Sequence, residues 1–170
     1  MIPRAWWGLV FVLGCTNEAS VTEPLGRPDA AVPVACADTE GILGSGVRSF
    51  LPVVDGDTVY LYRGPQGGYM VYLSVRAKGL DPSEVKVCYT DTFADGETFG
   101  SGCWRVRLGN DLGNGWHERV GIWGQIDTRF WTTPAVVRGQ DASISVTMTD
   151  LEGCEVSDGF AVHISSTPGR

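Results

Sequence analysis

The sequence predicts an all-β fold, an antiparallel β-sandwich of about eight strands stapled by disulfides. Three observations predict it. From Gly46 onward apolar and polar residues alternate in short runs, with turn-forming residues between the runs. No window carries the 3.6-residue apolar stripe of an amphipathic helix. Glycine (23) and proline (9) are frequent, which favours short strands and tight turns over long helices. A closed barrel is the second architecture that the same pattern allows.

The runs 47–54, 58–63, 69–78, 84–91, 102–110, 116–126, 142–150 and 156–165 read as the strands. Between them stand Asp55-Gly56, Gly64-Pro65-Gln66-Gly67-Gly68, Gly79-Leu80-Asp81-Pro82, Asp95-Gly96, Gly113-Asn114-Gly115 and Glu152-Gly153. These are chemically specified turns, because Gly and Asn tolerate positive φ and Pro presets its own. The last two runs, ASISVTMTD and VSDGFAVHI around a glycine turn, resemble the final hairpin of immunoglobulin-like domains. That resemblance implies an immunoglobulin-like sandwich.

The balance of charge and apolar content sets the function classes. Hydrophobic residues make up 43% of the 170, enough to build a packed core, so wholesale disorder is excluded. With 13 basic against 20 acidic residues the net charge is −7, which argues against a non-specific nucleic-acid binder. Three parts follow along the chain: a signal peptide over 1–14, a lipidated N-terminus and flexible tether over 15–35, and one β-sandwich domain over 36–170.

The leader has a positive flank at Arg4 and an apolar run over 5–13, AWWGLVFVL. A bilayer span needs about 20 apolar residues, so this run fits the hydrophobic region of a signal peptide instead. It ends in Val12-Leu13-Gly14-Cys15, which resembles the lipobox of bacterial lipoproteins. The resemblance implies cleavage before Cys15, a diacylglycerol thioether on its sulfur and acylation of the new N-terminus. Cys15 is thus the expected membrane anchor, and the cell envelope the expected location. Thr16 stands where an Asp would imply inner-membrane retention in enteric lipoproteins, which points towards the outer membrane. The stretch 16–35 holds Pro24, Pro28 and Pro33 among small and acidic residues and reads as a solvated spacer. As a flexible coil it reaches roughly 25 Å. An edge strand over 31–35 is the other reading.

Beyond Cys15 four cysteines remain: Cys36, Cys88, Cys103 and Cys154. An exported chain meets an oxidising compartment, so two disulfides are expected. No pair has the close spacing of a zinc site, and no metal or cofactor is expected. Four cysteines allow three connectivities. Val85, Val87 and Tyr89 share one face of their strand, which leaves Cys88 on the other; Trp104, Val106 and Leu108 leave Cys103 on the other face of theirs. Both cysteines therefore occupy the polar phase of neighbouring strands, and the expected pairs are Cys88–Cys103 and Cys36–Cys154.

Chemistry-bearing motifs are sparse. The loop GPQGG, at 64–68, lacks the Lys and Ser/Thr of a phosphate loop and reads as a sharp turn. With its flanking strands, over 57–82, it resembles a motif in uncharacterised bacterial lipoproteins; where those commonly carry a His after the aromatic, Met70 stands here. In the run 116–126, Trp116, Val120, Ile122 and Ile126 form an apolar phase, and His117, Arg119, Gly121, Trp123 and Gln125 the opposite one. A tryptophan on a solvent-side phase can stack on a sugar or a guanidinium. Arg105 occupies the corresponding phase of the preceding strand. Trp123, Arg119, Arg105 and His117 are therefore the candidate binding residues, for a glycan or an anionic partner. A bulge at Gly121 that turns Trp123 inward would remove the site. Asp55, Asp57, Asp91, Asp95 and Glu97 read as solvated turn acids, since their spacing fits no calcium loop. With two histidines and neither a G-x-S-x-G elbow nor an H-E-x-x-H pair, no catalytic residue is assigned.

The expected function is thus that of a lipid-anchored envelope protein with a non-catalytic binding or structural domain. Its partner is then the membrane and either a glycan or an envelope protein. A carbohydrate or peptidoglycan recognition module is the alternative, and a cell-wall hydrolase the weaker third.

Overall fold

Alternation in the sequence becomes ten strands in the computed structural model, which describes residues 36, 38–131 and 133–166. The signal peptide, Cys15 and the tether lie outside the described residues. The strands are β1 (Glu40–Ser45), β2 (Leu51–Pro52), β3 (Asp57–Arg63), β4 (Tyr69–Lys78), β5 (Val85–Phe93), β6 (Thr98–Val106), β7 (Asn110–Gly113), β8 (Trp116–Gln125), β9 (Asp141–Asp150) and β10 (Glu155–Ser166). Two single 3₁₀ turns, Thr128–Phe130 and Pro134–Val136, connect β8 to β9. The fold is all-β, as the alternation requires.

Two layers share one strand. The first runs β2-β1-β4-β8-β7, the second β10-β9-β5-β6. β3 belongs to both, pairing β4 through Tyr62 and Arg63 and β10 through residues 57–61. Every ladder is antiparallel except β3–β10. A parallel pair needs a long connection, and the whole chain between these two strands supplies it. The layers curl towards each other, and their inner faces enclose one core. Val71, Leu73 and Val75 of β4 meet Val85 and Val87 of β5 and Ile144 and Met148 of β9 there, all within 1% of complete burial. Each such side chain contributes about 1.5–3 kcal/mol relative to exposure, so this layer contact dominates stability.

Two elements differ from the sequence expectation. The strand expected at 47–54 shrinks to Leu51–Pro52, and β1 forms earlier, in EGILGS. Its glycines hide the alternation but permit close approach. A Cβ on Gly41 would lie 2.7 Å from Met148 Cε, and one on Gly44 2.6 Å from the Leu51 carbonyl oxygen. The second difference concerns the strand expected at 102–110, which ends at Val106. The hairpin partner of β8 is β7, joined through Gly113, Asn114 and Gly115 with φ of 82°, 53° and 78°. Asn-Gly with both φ positive is the turn that suits the twist of a two-residue hairpin. β6 is therefore not laddered to β8. Among the described residues the two edges meet at one bridge, Gly100 opposite Ile126, beside a 2.7 Å hydrogen bond from Asp127 N to Phe99 O. The curl stays open along this β6–β8 seam.

Both disulfides lie at strand ends or edges. Cys88 and Cys103 are directly opposed residues of β5 and β6, with Cα atoms 4.0 Å apart. Cys36 joins Cys154, 5.4 Å away between Cα atoms, and so ties the domain's entry to the β9–β10 turn. In the chain-entropy picture the short loop contributes about 3 kcal/mol and the 118-residue loop about 5 kcal/mol. Asp150 orders the same turn by accepting N–H donors from Asp81, Glu152 and Cys154 at 2.8–3.0 Å.

Candidate functional site

Trp123 owes its position to an irregularity in β8. Along the β4–β8 ladder Tyr72 faces Trp123 and Leu73 faces Ile122, but Val75 then faces Arg119. One extra residue in β8 stands against Ser74, at Gly121 with φ of 74°. A side chain there would meet Val47 O at 2.8 Å, so only glycine fits this bulge. The buried Ser74 hydroxyl fills the gap, accepting from Gly121 N and donating to Gly46 O. The bulge anticipated at Gly121 is thus present, yet it does not turn Trp123 inward: the ring is 48% exposed. The phase switch falls on the other side of the bulge, so that Arg119 shares the phase of the core residue Val75 while Trp123 shares that of Tyr72.

Trp123 is one ring in a row. Tyr60 and Tyr62 project from the outer side of β3, since Val59 and Leu61 between and beside them are buried. Tyr62 meets Tyr72 edge-to-face at 4.9 Å between centroids, Tyr72 is the cross-strand partner of Trp123, and Trp123 meets Trp104 edge-to-face at 6.5 Å. The Trp104 indole donates to Trp123 O at 2.7 Å and is itself 40% exposed. Neighbouring strands lie about 4.8 Å apart, so a row of this kind runs across the strands, over β3, β4 and β8 to β6. Edge-to-face pairs of this sort stabilise one another by about 0.5–1.5 kcal/mol and hold the rings in fixed orientation.

Clefts flank Trp123 on both sides. On one side the GPQGG turn, Trp131 and Gln125 enclose about 110 Å³ with Trp123. The turn closes on itself through Gly64 N to Gly68 O (2.7 Å), and Trp131 packs so tightly on Gly68 that a Cβ would come within 2.9 Å of the indole. The Trp131 ring is fixed by its own bond to Ile126 O at 2.9 Å. GPQGG is a turn, as read, and at the same time one wall of a cleft. On the other side Trp104, Val106, Arg119 and Ile122 enclose about 300 Å³ with Trp123. This second cleft opens at the strand edge, where residues of both phases are within reach.

The expected set is therefore only partly assembled. Trp123 and Arg119 line one cleft. Arg105 does not join them: it lies on the opposite face of β6 from Trp104 and forms an ion pair with Glu84. The expectation rested on a β6–β8 hairpin that the β7 turn pre-empts. His117 stands opposite Ala77 and Asp111, on the far side of the bulge, and lines neither cleft. Sequence reasoning placed Trp104 on the apolar phase of its strand, and there it stands, opposite the buried Val87; what it missed is that the open β6–β8 seam leaves the ring 40% exposed.

One of the expected turn acids is misplaced as well. Asp55, Asp57 and Asp95 do accept local or loop N–H donors in turns, and Glu97 pairs with Arg129. Asp91 instead lies inside β5, wholly buried, and neither carboxyl oxygen has a hydrogen-bond partner. Its cross-strand neighbour Gly100 makes the room, since a Cβ there would sit 2.5 Å from Asp91 Oδ2. Burial pushes the carboxyl up to about 8. Two residues away, Tyr89 reaches under Gly102 to the edge of β8, donating to Gln125 O (3.0 Å) and accepting from Gln125 N (2.7 Å). Burial pushes this phenol up to about 12, against the effect of the Gln125 backbone bond, with the nearby Asp91 adding to the rise. Among the described residues no cluster of three His, Cys, Asp or Glu side chains is placed to hold a metal ion.

No protein-family model matches the chain. No curated protein matches it. Among solved structures it is similar to the CooA pilin subunit from enterotoxigenic Escherichia coli, at 14% identity and a TM-score of 0.34, over 75% of this chain and 99% of that one. A likeness of this degree carries no argument about function.

Proposed function

We propose that this is an exported, lipid-anchored protein of the bacterial cell envelope whose β domain binds a glycan without catalysing its turnover. The observation that carries the reading is the half-exposed ring of Trp123 within a row of four aromatic rings crossing the sheet. The exposed ring of Trp123 offers apolar surface to the C–H face of a sugar, and tyrosine hydroxyls in the row add polar atoms for hydrogen bonding. Gln66 and Gln125 add amide donors and acceptors at the rim of the adjoining cleft. A shallow, aromatic-lined surface with a few placed polar groups suits a chain-like ligand better than an enclosed small molecule. The anchor part of the reading rests on the leader over 1–14 and on Cys15 in its lipobox-like setting. Two disulfides agree with folding in an oxidising compartment.

Glycan-array and insoluble-polysaccharide binding, compared between the full chain and Trp123→Ala, test the binding part. Removing an exposed ring leaves the fold intact and is expected to weaken binding about tenfold or more, in line with a loss of 1–3 kcal/mol for a stacking contact. Identical profiles for the two proteins would overturn it. For the anchor, Cys15→Ser is expected to abolish incorporation of labelled fatty acid and to leave the precursor uncleaved; retained labelling refutes the assignment.

A further inference from the structure

We infer that the cleft between Trp104 and Trp123 accepts the anionic group of an acidic sugar, held by Arg119, so that the surface prefers carboxylated or phosphorylated glycans over neutral ones. The inference rests on the glycan reading above and adds the chemical class of the ligand. Its basis is a contrast between the two clefts that share Trp123. The cleft on the GPQGG side is lined by no charged side chain, offering aromatic faces and the amides of Gln66 and Gln125. The cleft on the Trp104 side is lined by Arg119 and by no acid. Arg76, Arg105 and Arg129 each hold a carboxylate, whereas among the described residues Arg119, like Arg48, Arg63, Arg107 and Arg138, takes part in no ion pair. What sets Arg119 apart is its place in the lining of a cleft that it shares with Trp104 and Trp123. On a chain of net charge −7, a solvent-facing arginine beside two indoles is an uncompensated cation in an otherwise apolar setting.

Such a site has the properties that favour an oxyanion. The guanidinium presents paired donors that match a carboxylate or a phosphate, and apolar walls on either side reduce the screening of its charge. A glycan laid across Trp123 then places a neutral residue against the GPQGG cleft and an acidic residue beside Arg119. The bulge at Gly121 sets Arg119 on the phase of Val75 and Trp123 on that of Tyr72, and the cleft is lined by both.

The test is titration of the full chain in detergent with three oligosaccharides of equal length: neutral chito-oligosaccharide, hyaluronan carrying carboxylates, and a phosphorylated chito-oligosaccharide. Binding of at least one acidic form about tenfold tighter than the neutral one is expected, and which acidic form wins identifies the anion. Arg119→Gln is expected to bring that ratio close to one by weakening acidic binding far more than neutral binding, and roughly 0.5 M salt to shrink it in the wild type. Because Arg119 is exposed and holds no partner, the variant is expected to keep the wild-type melting temperature. Equal affinity for all three sugars in the wild type, or a loss in Arg119→Gln that is the same for neutral and acidic forms, overturns the inference and leaves Trp123-dependent glycan binding standing. No binding of any sugar overturns the inference together with the reading beneath it.

Discussion

The two flanks of β5 are built in different ways. On one side β5 is laddered to β9 without interruption from Val85–Asp150 to Phe93–Ala142, and β9 continues just as regularly into β10. Continuous backbone ladders close that flank, with side-chain bonds such as Ser145 Oγ to Thr90 O only adding to them. On the other side β6 pairs with β5 but meets β8 at a single bridge. There the work passes to side chains: Tyr89 and Trp104 each reach across to a backbone group of β8. A ladder uses up every donor and acceptor it contains, whereas a seam joined by side chains leaves edges, clefts and unpaired groups. The exposed tryptophans, the Arg119 cleft and the partnerless Asp91 all lie along or beside this seam. The regular flank is a continuous ladder, and the irregular flank carries the surface proposed above to bind.

The largest way to sharpen that contrast is through Asp91. In the folded chain burial pushes its carboxyl up to about 8, while in the unfolded chain it ionises near the ordinary carboxylate value of 3.8. Between those limits folding takes up a proton, so stability falls as pH rises, by at most about 1.4 kcal/mol per pH unit, and levels off above pH 8. Asp81 and Asp127, held below the ordinary range first by backbone N–H donors from Ser83 and Arg129, act in the opposite sense at the acid end. Asp81 is exposed and Asp127 partly so, and they weaken the fold only as they protonate. Urea midpoints measured with disulfides intact are therefore expected to be higher at pH 5 than at pH 8, and Asp91→Asn to flatten the difference. Equal midpoints in the wild type would show that Asp91 is not held neutral inside the seam.

How far the sequence foretold this arrangement depends on whether period-two alternation survives locally. It survives in β4, β9 and β10, where Leu73 to Lys78 or Asp141 to Asp150 alternate apolar with polar residues, and those strands are found where the alternation puts them. The opposed cysteines 88 and 103 were readable for the same reason: parity holds from Val85 to Asp91 in β5 and from Gly100 to Val106 in β6. It fails at Gly121. One inserted residue changes which face every residue before it occupies, and no alternation rule can show this when the residues on both sides are mixed in polarity. Trp123 and Arg119 seemed to share a face by parity; the bulge puts them on different phases, yet both line one cleft. β1 was hidden by Gly41 and Gly44, whose missing side chains matter only once Met148 and Leu51 are seen pressing on them. Asp91 was hidden because nothing in a sequence distinguishes an acid in a turn from an acid under a glycine on the neighbouring strand.

A smaller effect separates the backbone of the seam from its side chains. Tyr89→Phe removes the hydroxyl that donates to Gln125 O and accepts from Gln125 N, and leaves the ring packed beneath Gly102. If side-chain bonds hold the β6–β8 edges together, this deletion costs about 1–2 kcal/mol, as expected for two hydrogen bonds lost at a partly buried site. The location of the loss is as informative as its size. Amide exchange at Gln125 is expected to accelerate, because its N–H loses its acceptor, while amides in the β9–β5 ladder should show only the change set by global stability. A uniform acceleration across both flanks would mean that the seam opens only with the whole molecule, and the two flanks of β5 would then be one cooperative unit despite their different construction. Local acceleration at Gln125 instead makes the β8 edge, with Trp123 two residues away, the part of the domain that moves independently to meet a ligand.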